Sequence, residues 1–389
     1  MMFRVSEELK KEIIANRREL HRRAEIGFDL PKTRAYVMDK LKEYGYEPVE
    51  IGGGITCTAG SGGKTILLRA DMDALPMEEQ SGEEFACTDG NCHSCGHDCH
   101  TAMLLGAAKA FKEMEGTLKG TVKFMFQPAE ELLGGAKAMI EAGILDHPKV
   151  DAAMGLHIAV ARENTVPGTV LITHGTMNNS GDAVKITVQG KDAHGSTPEK
   201  GIDSVSIAAR IVLGLEELVA KEIPSKEDSV VLVGKIAGGT TCNTVGGTTV
   251  MEVSIRTQGY EERDYLKRRV KEIAQGIAAV YRGSAEVEYQ YGMPPLVNHE
   301  ELLNECKDYL KEFLPEEKIV EVGNQGGCED FTMVCERVPS IFLMIGAGDS
   351  GHGYVNGAHH PAMRIDEDAL STGTEVYVNC GIRWLENHR

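Results

Sequence analysis

Seven of the ten residues in Asn91-Cys92-His93-Ser94-Cys95-Gly96-His97-Asp98-Cys99-His100 are Cys, His or Asp. Such side chains hold transition metals once the thiols are deprotonated and the imidazoles neutral, so the stretch reads first as a metal site. Two other chemistries use the same residues: half of a structural zinc knuckle, or a disulfide-forming pair at Cys92 and Cys95. A closed four-thiolate site needs a second Cys-x-x-Cys, and Cys57, Cys87, Cys242, Cys306, Cys328, Cys335 and Cys380 supply none. Directly after the cluster, Ala102, Met103, Leu104, Ala107, Ala108 and Phe111 recur at helical spacing. The ligand-rich stretch is therefore expected to be a loop running into an amphipathic helix, and an open, catalytic metal site is the leading idea.

Other chemistry-bearing residues follow short apolar runs. Residues 65–70 read as a buried strand ending in Asp71 and Asp73, residues 121–126 as another ending in Glu130 and Glu131, and residues 151–156 as a third ending at His157. Strands alternating with helices predict a mostly parallel sheet flanked by helices, and such sheets place ligands at the carboxyl ends of their strands. Asp73 is a candidate for fixing one tautomer of a ligand histidine. Asp71 could instead cap the turn. Taken alone, a Glu-Glu pair is more often a solvated surface feature than a catalytic one.

From about residue 180 the pattern changes to β-α-β-β-α-β: strands near 184–188, 229–236, 248–256 and 285–291, with helices over 202–221 and 261–281. That order is the split arrangement of a ferredoxin-like domain. The helix-strand alternation resumes after Pro294 and Pro295. The expected organisation is an α/β domain over 1–179 plus 293–389, with a ferredoxin-like α+β domain inserted at 180–292.

The chain has 389 residues, room for two cores, and 42% hydrophobic residues without a run of eighteen. Its charged start shows no export signal, so a cytoplasmic protein with reduced thiols is expected. A net charge of -18 repels nucleic acid and anionic membrane, and neither is expected as a partner.

Several stretches together resemble the metal-dependent amidohydrolases of the aminoacylase and carboxypeptidase superfamily, in the branch of hippurate hydrolases, N-acetyl-amino-acid deacetylases and auxin-conjugate hydrolases. They are Arg69-Ala-Asp-Met-Asp-Ala-Leu-Pro76, Cys95-Gly-His-Asp-Cys-His100, Gln127-Pro-Ala-Glu-Glu131, Gly155-Leu-His157, Ala193-His194 with Pro198, Gly326-Gly-Cys-Glu-Asp-Phe331 and His359-His-Pro361. The resemblance implies a zinc-exopeptidase-like catalytic domain, with the inserted domain serving as lid and dimerisation surface. It implies metal ligands at Cys95, His97, Glu131, His157 and His359, with His360 as a substitute for His359. Two divalent ions per subunit, Zn²⁺ or Mn²⁺ with Co²⁺ as a further candidate, would be bound. Glu130 is implied as the general base and His194 as a donor to the oxyanion across a dimer interface. Asn243 and Arg256 are implied to hold the substrate, although a solvated strand-end arginine is as common as a functional one. The implied reaction is hydrolysis of N-acyl amino acids by a homodimer. A metallo-dipeptidase or carboxypeptidase is the alternative, and a non-catalytic metal-binding protein is disfavoured by retention of Glu130. The sequence departs from the family at Cys99, where glycine is usual, at Cys328, where serine is usual, and at Cys92-His93-Ser94, so further thiol ligands are open.

Overall fold

The computed structural model describes residues 2–224 and 228–388. Its chain divides into two compact units: Met1–Gly175 with Val297–Gly323 and Asp330–Arg389, and Thr176–Leu296 with Asn324–Glu329.

The larger unit is built on a mixed eight-stranded sheet. Across it run Val49–Ile51, Gly54–Gly60, Thr121–Gln127, Thr65–Asp71, Ala152–Ala159, Ser340–Gly346, Val170–Ile172 and Ile319–Glu321. The four central strands are mutually parallel. Every residue of Thr65–Asp71 and Thr121–Gln127 is buried, as in parallel strands covered on both faces. The sequence reading omitted the short outer strands, which are rich in glycine or only three residues long.

Three helices, Glu7–His21, His97–Glu113 and Ala369–Asn387, pack on one another and contribute to the main core. Ser6 caps the first, its hydroxyl accepting from the Leu9 N–H at 3.2 Å. The second was expected to be amphipathic, yet nearly all of its residues are buried, because it lies against both the sheet and its sister helices. The last helix begins at Ala369, after Asp366 has turned the chain by accepting the Asp368 N–H. The third central strand continues to Ala159 instead of stopping at 156, held by parallel pairing of Leu343 through Gly346 with Leu156 through Ala159. His157 thus lies within a strand, not after one.

The smaller unit has one four-stranded antiparallel sheet in the order Val230–Gly238, Thr248–Arg256, Gly181–Gln189, Ser284–Met293. With helices Ser204–Glu222 and Tyr260–Val280 this is the β-α-β-β-α-β arrangement, and the helices pack Ile207, Ile211, Leu215, Leu266 and Val270 against Val184, Ile186 and Val188. Residues 324–329 cluster with this unit because their backbone is tied to 176–178. Gln325 N–H donates to Met177 O at 2.8 Å, and the Asn178 side chain donates to Gly326 O at 2.8 Å.

Candidate metal centre

The turn before helix His97–Glu113 carries the centre. Gly96 adopts φ 92°, a left-handed conformation that favours glycine, and this bend places Cys95 and His97 on either side of the helix start. Donor atoms of Cys95, His97 and His157 lie within 4.8 Å of one another, as do those of Cys95, Glu131 and His359, and of His97, Glu130 and Glu131. Cys95 Sγ is 3.4 Å from His157 Nε2, and His359 Nε2 is 3.3 Å from Glu131 Oε1. The structure therefore brings Cys95, His97, Glu131, His157 and His359 together.

Whether these residues suit a metal can be judged from their unmet polar groups. Both ring nitrogens of His97 and Oε1 of Glu131 are buried without a hydrogen-bond partner. Such orphans are costly in a folded protein unless a ligand completes them. His157 uses Nδ1–H on the Ile158 carbonyl at 2.6 Å, which leaves Nε2 as its free donor. Burial opposes ionisation of the Cys95 thiol, but the imidazoles of His97 and His157 outweigh it and hold the thiol down to about 6. His359, facing the Cys95 thiol and the Glu131 carboxylate, is pushed up to about 10. Protons on crowded rings beside a thiolate and a carboxylate do for the bare protein what a cation would do, so the donor set fits a divalent metal.

Behind these donors lies a buried polar frame. Asp73 accepts the Glu130 N–H at 3.0 Å through one oxygen and the Glu131 N–H at 3.2 Å through the other, and the first oxygen is 3.4 Å from His97 Nδ1. One carboxylate thus positions the His97 imidazole and the backbone of both glutamates. Asp71 does not cap the turn: it is the last residue of its strand, paired with Arg69 Nη1 at 2.8 Å and with His100 Nδ1 at 2.6 Å. His100 Nε2 accepts the Ile158 N–H at 2.9 Å, so its proton sits on Nδ1. Burial drives its pKa down to about 3 and keeps the ring neutral. This Asp71-His100-Ile158 chain fixes the backbone next to His157. Its spacing from His97 was visible in the sequence, its partner was not.

Residues 67–381 match the pattern of Peptidase family M20/M25/M40. The chain belongs to this family and is a hydrolase. It is 36% identical over 385 residues to an N-acetyl-L-cysteine deacetylase of Bacillus subtilis, covering 98% of this chain and 90% of the relative. It is 34% identical over 394 residues to the IAA-amino acid hydrolase ILR1-like 2 of Arabidopsis thaliana, covering 99% and 88%. The solved structure of the Bacillus subtilis YXEP protein, a dinuclear metal-binding peptidase of the M20 family, superposes with a TM-score of 0.85 at 30% identity over 98% of this chain and 99% of that one.

The three cysteine departures of this M20 chain fall outside its donor sets. Cys92 and Cys99 are buried, burial pushing the first thiol up to about 12 and raising the second, and neither belongs to any donor group among the described residues. Cys328 lies in the smaller unit. His360 is exposed and its Nδ1 accepts the Ala362 N–H at 3.1 Å, so it does not replace His359.

The remaining predicted residues are in the smaller unit. His194 is exposed, and its Nδ1 accepts the Ser196 N–H at 3.1 Å, leaving Nε2 to carry a proton outward. His194 and Asn243 are brought side by side, the Gly195 N–H donating to Asn243 O at 2.7 Å. The Asn243 Oδ1 accepts from Thr241 at 2.7 Å, so its amide N–H groups stay available. Arg256 ends a central strand next to Gly181, where an added Cβ would sit 2.5 Å from Nη1, and it makes no ion pair among the described residues.

Proposed function

We propose that this M20 hydrolase cleaves the amide bond of N-acyl amino acids, giving a carboxylic acid and a free amino acid, with Cys95, His97, Glu131, His157 and His359 as metal ligands. The observation that carries this reading is the meeting of those five side chains beside Glu130, whose Oε2 is 3.9 Å from His97 Nε2. The N-acetyl-L-cysteine deacetylase and the IAA-amino acid hydrolase among its relatives support the substrate class. Cys95 belongs to two donor groups, one with His97 and His157 and one with Glu131 and His359, and these residues would hold two divalent ions. A divalent cation held there lowers the pKa of a water and polarises the amide carbonyl. Zn²⁺ suits the thiolate and imidazole donors, with Mn²⁺ and Co²⁺ as competitors.

Glu130 is the base: its carboxylate takes a proton from the attacking water and returns it to the departing nitrogen. His194, protonated on Nε2 by virtue of its Nδ1 contact, donates to the developing oxyanion. Asn243 supplies amide donors, and the guanidinium of Arg256 pairs with the free α-carboxylate of the amino acid. The smaller unit acts as a lid and as the surface of a homodimer. Its edge strand exposes Val230 and Leu232 at alternate positions of one face, an apolar patch that a second copy can cover. Among the described residues no helix is long and apolar enough to cross a membrane, and a cytoplasmic location agrees with the reduced cysteines.

The test is a substrate panel run on protein stripped of metal and reloaded with zinc, manganese or cobalt. N-acetyl and N-benzoyl amino acids should be cleaved, and their carboxamides far more slowly, because the half-buried Arg256 guanidinium is left without its anionic partner by a carboxamide. Equal kcat/KM for acid and carboxamide removes Arg256 as a carboxylate reader. Faster cleavage of dipeptides than of any N-acyl amino acid moves the reading to a dipeptidase.

A further inference from the structure

A cavity of ≈ 390 Å³ opens beside the metal-binding side chains and is enclosed by the larger unit alone. One wall is Cys95 and His157, whose Sγ and Nε2 lie 3.4 Å apart. Apart from Arg162, its one charged side chain, the remaining side chains are apolar, with Ile158, Val160, Met344 and Met363 lining it and exposed Val355 at its rim, while Arg162 and backbone atoms add polar surface. Met344 is held in place by its strand, where it is the parallel partner of His157. The volume lies at the small end of ligand pockets, about 300–1,000 Å³, which suits one substituent of a substrate and not a peptide.

Which substituent enters follows from where the proton must go. The leaving nitrogen has to lie within reach of Glu130, and neither Glu130 nor Glu131 lines this cavity. A carbonyl at the centre therefore points its nitrogen towards the glutamates and its carbon substituent towards Cys95 and His157.

We propose that this cavity is the acyl pocket and that it selects medium-length apolar acyl groups over acetyl. The inference rests on the N-acyl amino acid reading above and adds the acyl class to it. Met344, Met363 and Val355 set the length accepted. Each methylene withdrawn from water into such a pocket should raise kcat/KM about fourfold until the space is filled.

The experiment compares N-acetyl, N-butanoyl, N-hexanoyl, N-octanoyl and N-succinyl derivatives of one amino acid on metal-replete enzyme, with metal content measured in every sample. Expected is a kcat/KM that climbs from acetyl to a maximum at hexanoyl or octanoyl, with octanoate a stronger competitive inhibitor than acetate. Val355→Trp narrows the rim from an exposed position and should lower the octanoyl-to-acetyl ratio at least tenfold, whereas Met344→Ala should shift the maximum to a longer chain. A ratio unchanged by Val355→Trp, or a flat or falling chain-length profile, overturns the inference while leaving N-acyl hydrolysis intact. Preference for succinyl over butanoyl also overturns it, by making Arg162 the reader of an anionic acyl group. Absence of hydrolysis across the whole series removes both this inference and the reading beneath it.

Discussion

At Glu130 and Glu131 two neighbouring carboxylates are given different surroundings by a short, irregular piece of backbone. Ala129 and Leu133 take φ of 52° and 53°, conformations that non-glycine residues seldom adopt, and between them Asp73 clamps the N–H groups of Glu130 and Glu131. Strain of this kind persists only where the surroundings over-determine it. Glu131 is held at 3.3 Å from His359, and Glu130 is the carboxylate proposed to move protons. Glu130→Gln should keep metal content and melting temperature and lower kcat by roughly two to four orders of magnitude. Wild-type turnover in a metal-replete variant rejects the assignment. Asp73→Asn tests the clamp itself, because an amide can present only one acceptor to the three groups that Asp73 faces. Metal affinity, measured by competition with a chelator, should fall about 10- to 100-fold; unchanged affinity limits Asp73 to holding the loop. The meeting of Cys95, His97, Glu131, His157 and His359 was anticipated through the resemblance and their side-chain chemistry. The frame was legible only in part. Asp73 was read as a tautomer-fixing carboxylate, whereas the role of His100 depends on the Ile158 N–H, fifty-eight residues away, which no local pattern reveals.

The elements that carry these residues were legible wherever a segment is long and apolar enough to be buried on its own account. Thr65–Asp71 and Thr121–Gln127 are such segments, and both were anticipated within a residue. Ends were less legible, because they depend on partners: Ala152–Ala159 runs past His157 only because Ser340–Gly346 lies beside it. The junction between turn and helix at Gly96 is where backbone chemistry and site geometry meet most tightly. A Cβ there would meet Ile158 Cδ1 at 2.3 Å and would force an L-residue into φ 92°. Gly96→Ala should therefore cost about 1–2 kcal/mol for the left-handed backbone, with the clash added to it. It should also lower metal occupancy by displacing Cys95 and His97. Thermal melts with and without metal measure the two effects. Combining it with Ile158→Val should recover part of the loss, since the clash is with the far end of a flexible side chain; no recovery assigns the whole cost to the backbone.

At the scale of the whole molecule, the insertion was visible as a switch in pattern from alternating strands and helices to β-α-β-β-α-β. The membership of residues 324–329 was not, because it is set by hydrogen bonds between segments about 150 residues apart, such as Asn178 to Gly326. Each unit has its own core, and the smaller one carries His194 on an exposed pair of short strands together with an edge strand whose Val230 and Leu232 face outward. Isolated apolar side chains on a surface are ordinary, but two on alternate positions of an unpaired edge strand are what a second copy covers in a symmetric dimer. If His194 serves the partner's metal centre, an inactive His194→Ala protein and an inactive Glu130→Gln protein complement each other. Half of randomly mixed dimers are then hetero, and one of their two sites contains both wild-type residues, so activity should return to about a quarter of wild type. Mixing the two variants under conditions of demonstrated subunit exchange, and assaying with an N-acyl amino acid, reads this out. Recovery near that level requires both a dimer and a shared site. Exchange without recovery confines His194 to its own chain, and Leu232→Asp, which should split the dimer, would then leave activity unchanged.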